Sequence, residues 1–75
     1  MTQREQKQIV EDIGKAYGRY LATRDLYVGR ECPHMKEVEG MVHILFILRI
    51  PYTIEWDHER NHAKKFTIGD YSAFF

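Results

Sequence analysis

The sequence predicts an α+β fold, two N-terminal helices followed by a C-terminal antiparallel β-hairpin, in the order α-α-β-β. Three observations carry that expectation. Apolar residues recur at helical spacing through the first part of the chain. Pro33 and Pro51 punctuate it as a helix entry and a helix exit. After Pro51 the apolar period shortens from about 3.6 residues to about 2.

Thr2 and Glu5 have the S/T-x-x-E spacing of a capping box, in which each side chain bonds the other's free backbone N–H. A helix is therefore expected over about residues 3–25, ending anywhere between Thr23 and Val28. Steps of about 100° per residue put Val10, Ile13, Tyr17, Tyr20 and Leu21 on one stripe and Arg4, Gln8, Glu11, Lys15 and Arg19 opposite. Gly29 suits the left-handed position after a helix end. Pro33 suits the first turn of a second helix, over about residues 33–49, because its missing N–H would be unpaired there anyway. Met35, Val38, Val42, Leu45 and Phe46 keep the helical spacing, but from Ile44 onward apolar residues point in every direction. A strand over residues 42–50 stays open as the alternative, since a short apolar run fits either state.

Beyond Pro51, Tyr52, Ile54 and Trp56 alternate with polar residues, as do Phe66 and Ile68, predicting strands over about 52–57 and 64–69. The polar segment between them reads as a loop. Residues 71–75, Tyr-Ser-Ala-Phe-Phe, form an aromatic tail that is poorly suited to solvent.

The chain has 75 residues, enough for one core and one domain. It is 44% hydrophobic and 29% charged, which excludes a disordered chain. Cys32 is the single cysteine, and the first residues lack a basic, apolar and small-residue leader pattern; both point to a reducing cytoplasm. No apolar run approaches the about 20 residues of a spanning helix, so a membrane is not expected as a partner. Eleven basic residues balance eleven acidic ones, whereas nucleic-acid-binding domains concentrate a basic excess on one face. Nucleic acid is accordingly the alternative partner, through Lys64 and Lys65 with Phe66. Another protein, or a second copy in a homodimer, is the primary one.

A partner is expected on physical grounds. A hairpin is marginal alone in water, and two helices over two strands leave apolar surface uncovered. The expected interface comprises Trp56 and Phe66 of the hairpin, the tail residues Tyr71, Phe74 and Phe75, and Gly14 and Gly18. These two glycines begin a row, ending at Ala22, of small residues one helical turn apart that permits close approach.

Cys32 and His34, with His58 and His62, are of zinc-ligand type. His-x3-His is a recognised ligand spacing, whereas Cys-x-His is shorter than usual. The competing reading is a solvated loop with two titrating histidines, and no cofactor is expected. His43 and Arg49 interrupt the apolar run, either as buried anchors paired with Glu55 or Asp57 or as residues emerging at an edge. No phosphate-binding glycine loop, dinucleotide fingerprint or nucleophile elbow occurs, and no segment resembles a known family. The sequence thus reads as a non-enzymatic protein-interaction module. Its size class suits an accessory or inhibitory protein of a phage or mobile element that occludes a host protein's surface.

Overall fold

The structure is a computed structural model and describes residues 1–75. Helix α1 spans Gln3–Thr23, a single 3-10 turn follows at Arg24–Tyr27, and helix α2 spans Pro33–Ile47. Strands β1 (Thr53–Asp57), β2 (His62–Ile68) and β3 (Tyr71–Phe74) form one antiparallel sheet in the order β1-β2-β3. The α+β class and the helices-first order are as the sequence predicts, and residues 42–47 are helical.

The capping box forms as expected. The Glu5 N–H donates to Thr2 Oγ1 at 3.1 Å, and the Thr2 N–H donates to Glu5 Oε1 at 3.0 Å. Val10, Ile13, Ala16 and Tyr17 are the buried face of α1. Helix α2 ends two residues before the expected limit, in a Schellman motif: the Ile50 N–H donates to the Leu45 carbonyl (2.9 Å) and the Arg49 N–H to the Phe46 carbonyl (3.1 Å). Arg49 occupies the left-handed position with φ 57°, where glycine is the usual residue.

The β1–β2 hairpin carries a bulge. Glu55 pairs with Lys65 and Trp56 with Ala63, leaving Lys64 as the extra residue. The bulge resets the alternation, so that Ala63, Phe66 and Ile68 are all buried. Strand β2 also begins two residues earlier than predicted, at His62. The larger correction concerns the tail, which is a third strand rather than a free aromatic segment. Gly69 and Asp70 form a two-residue turn between the paired residues Ile68 and Tyr71, and Gly69 supplies the positive φ of 57°. Tyr71, Ala73 and Phe75 then pack against the core, while Phe74 is exposed on the other face.

Ile13 of α1, Leu45 of α2 and Ile68 of β2 are the largest fully buried side chains. Tyr17 binds the layers together. Its hydroxyl accepts the buried Ala63 N–H at 3.0 Å, and its ring lies 4.6 Å from that of Phe75. Helix α1 lies on β2 and β3, and α2 packs on α1, yet no Cα of α2 comes within 8 Å of one in a strand. The result is a flat molecule of 37 × 23 × 17 Å. Its radius of gyration of 12.5 Å exceeds the about 11 Å expected for a compact chain of this length.

Replacing Arg49 with glycine should raise stability by about 1 kcal/mol, the cost of a side chain in left-handed geometry; a denaturant titration with unchanged slope would register it. Tyr17→Phe keeps the ring and strands a buried N–H, which should cost about 1–3 kcal/mol. An unchanged denaturation midpoint would contradict that role for the hydroxyl.

Candidate functional site

Because α1 covers β2 and β3 while α2 stays clear of the sheet, β1 has no helix above it. Ile54 pairs with Phe66 and Trp56 with Ala63, so both share the helix-facing side of the sheet, since opposed residues in an antiparallel pair point the same way. Phe66 and Ala63 are buried there, but Ile54 and Trp56 remain 49% and 46% exposed. Across the gap, Val38, Val42 and Phe46 line the near flank of α2. Between the two lies a small apolar cavity of about 40 Å³, closed below by Ile13, Phe66 and Phe75.

Two open hollows lie beside it, of about 360 Å³ and about 390 Å³; the first shares Val38 and Val42 with the cavity, and the two share Phe46 and Tyr52 as a common wall. The first is lined by Val38, Glu39, Val42 and His43 with those two, the second by Leu45, Arg49, Ile50 and Pro51 with them. Both are shallow and apolar. They suit side chains projecting from a docked surface better than an enclosed small molecule, for which sites bury most of the ligand.

The second half of α2 extends the same surface around the helix. Ile44, Phe46, Ile47 and Leu48 are 55%, 71%, 61% and 59% exposed. A helix that is apolar all round is ordinarily buried on all sides. Of these four, Phe46 alone lines the hollows, while Ile44, Ile47 and Leu48 lie about 100–160° around the helix from it.

The expected interface residues divide accordingly. Trp56 lies on the open face. Phe66, at 3% exposure, belongs to the core, and Tyr71 and Phe75 pack against it. Phe74 is exposed on the outer sheet face, where Lys65 Nζ sits 5.4 Å from its ring centre. Gly14 is explained by the fold: a Cβ there would come within 3.0 Å of Ala73 Cβ, so α1 approaches β3 closely at this point. Gly18 faces open space. Ile44, Phe46 and Ile47 of α2 and its C-cap residue Leu48 are absent from the expected set, although their all-round apolarity was the available signal.

The four residues of zinc-ligand type sit at the start of α2 and in the β1–β2 hairpin. Cys32 is the buried N-cap residue of α2, with Sγ 4.0 Å from Thr23 Oγ1. His34 lies between Arg19 and Glu37, which bridge α1 to α2 at 2.9 Å. His58 is exposed in the hairpin loop, whereas His62 is buried in β2 and donates from Nδ1 to the Ala63 carbonyl at 2.7 Å. No three His, Cys, Asp or Glu side chains are grouped so as to hold a metal ion. His43 and Arg49 are both exposed at the edge of the apolar face.

On the outer sheet face Lys65 is the register partner of Glu55 across the strands. The hairpin loop beside it is organised by Asp57, whose Oδ1 accepts the Glu59 and Arg60 N–H groups at 3.0 and 3.2 Å. Arg60 Nε donates to Asp57 Oδ2 at 2.6 Å, and its guanidinium also reaches the Phe75 carbonyl at 3.3 Å. The Arg60 side chain, followed by its backbone N–H, holds the Asp57 carboxyl below the usual carboxylate range.

A carboxyl with a lowered folded-state pKa stabilises the fold above its unfolded pKa and ceases to do so as pH falls through the folded value. Asp57→Asn, which mimics the protonated group, should therefore be less stable than the natural protein at neutral pH. That difference should shrink below about pH 4. Thermal melts across pH check this, and a gap independent of pH would exclude the ion pair as its source.

No helix is long and apolar enough to cross a membrane. No protein-family model, no curated protein and no solved structure matches this chain.

Proposed function

We propose that this chain is a small, non-enzymatic protein-interaction module that works through the apolar face formed by the second half of α2 and by β1. The observation carrying this reading is the exposure of Phe46 on one side of the groove and of Ile54 and Trp56 on the other, with Ile44, Ile47 and Leu48 exposed further around α2. Large contiguous apolar patches on small domains mark association surfaces. Aromatic residues such as Phe46, Tyr52 and Trp56 are the ones enriched at the centres of such surfaces.

The face has the chemistry of docking and lacks that of catalysis. Its polar neighbours are Glu39, His43 and Arg49, one of each kind, lying at the rim rather than converging on a point. A domain that offers little but an adhesive face acts by occupying another surface. An accessory or inhibitory role by occlusion is the function we assign to it.

The test is Phe46→Asp, which places a charge on the wall shared by both hollows, at a position 71% exposed and outside the core. Monomer stability should change by no more than about 0.5 kcal/mol, as for an ordinary surface substitution. Association, whether with itself in sedimentation or with a protein retained from its native host, should fall sharply. The reading fails if natural and substituted proteins behave alike in both assays.

A further inference from the structure

We propose that the open face is completed by a second copy of this chain, in a two-fold dimer whose β1 strands pair antiparallel about Ile54. This rests on the interaction-surface reading above and names its occupant. The first observation is topological. Strand β1 pairs only with β2, so its other edge offers unpaired backbone N–H and C=O groups, the usual template for strand addition. Neither lysine nor proline lies within Thr53–Asp57 to discourage it.

The second observation is the register that the sequence of β1 permits. Centred on Ile54, antiparallel pairing sets Ile54 against Ile54 of the second copy and Tyr52 against Trp56 of the second copy. Thr53 then faces Glu55 of the second copy, so no like charges oppose each other. The apolar residues 52, 54 and 56 all fall on the helix-facing side, because opposed residues share a face. Centring the pair on Glu55 would instead bring two carboxylates together. One register is therefore favoured by both packing and charge.

The third observation is the apolar groove and charge. Ile54 and Trp56 are 49% and 46% exposed and Phe46 across the groove is 71% exposed, so both walls have apolar surface for a second copy to cover. A formal net charge of zero adds no long-range repulsion between copies. The dimer would have a continuous six-stranded sheet, an ordinary size, with β1 of each copy at its centre. The two α2 helices then lie over that centre, where Phe46 and Tyr52 now line open hollows.

Charge at position 53 reads the register directly, because Thr53 is exposed and each substitution acts twice across the dyad. Thr53→Glu should weaken the dimer about tenfold and Thr53→Lys should tighten it comparably, given two cross-strand charge pairs. Sedimentation at micromolar concentration measures both. In a Cys32→Ser background, Ile54→Cys should give a disulfide-linked dimer under mild oxidation far faster than Phe74→Cys on the opposite face. A dimer that is indifferent to charge at position 53, and that the Ile54→Cys variant fails to cross-link, overturns the β1 pairing.

A chain that stays monomeric overturns the dimer altogether. If it then still captures another protein, or anionic phospholipid vesicles, in a Phe46-dependent way, the face has a different occupant. Capture of a protein leaves the interaction-module reading standing, and capture of vesicles alone replaces it. Monomeric behaviour without any Phe46-dependent binding removes both proposals.

Discussion

An α-helix with its side chains is about 10–12 Å across, and neighbouring strands lie about 4.8 Å apart, so one helix can roof two strands of a sheet and not three. Helix α1 takes β2 and β3. The choice is enforced by contacts that only those strands offer: the Tyr17 hydroxyl on the Ala63 N–H, the Tyr17 ring against Phe75, and the close passage of Gly14 over Ala73. Helix α2 could have roofed β1. It is instead held against α1 by Val38 and Leu45 in the shared core and by the Arg19–Glu37 bridge at the surface. The bridge is half exposed and contributes little to stability because solvent screens it, so apolar packing holds α2 in place.

Stability and the proposed association are thus drawn from different parts of a very short chain. Eleven of 75 residues are buried, and they concentrate where α1 meets β2, β3 and the inner flank of α2. A core that small leaves roughly 3–5 kcal/mol of net stability in a typical domain of this size. The exposed apolar residues on the outer turns of α2 and on β1 add little to that core while they face water. Their burial against a partner would add stability to the module in proportion to the partner's concentration and affinity. Folding and association are coupled through the same apolar composition.

Much of this architecture is legible in the sequence. The capping box, the α1 stripe, Pro33 at the start of α2 and the period change after Pro51 each correspond to a physical event in the fold. The features that local pattern conceals have specific causes. The third strand is signalled by Gly69-Asp70, a two-residue connection between Ile68 and Tyr71, and by the alternation of Tyr71, Ala73 and Phe75. The density of aromatics in that segment speaks for stickiness and masks its period. The bulge at Lys64 cannot be read from one strand, because it exists only in the register of two.

The open face is harder to place than the need for one. Composition alone argues that ten aromatics exceed a thin core, but which of them remain outside depends on which strand lacks a roof. Phe66 and Phe75 are covered because α1 lies above them, while Trp56, on the same face of the sheet, is not. Long-range packing decides that, and local pattern does not record it.

Trp56 is the only tryptophan and stands on the face in question, so its own fluorescence reports the central claim. Iodide quenching of the natural protein, followed from high dilution to its working concentration, tests it most directly. Occupation of the α2–β1 face by a second copy predicts an accessible indole when dilute, with emission shifting to the blue and quenching falling as concentration rises. An indole that remains equally quenchable throughout would contradict the account.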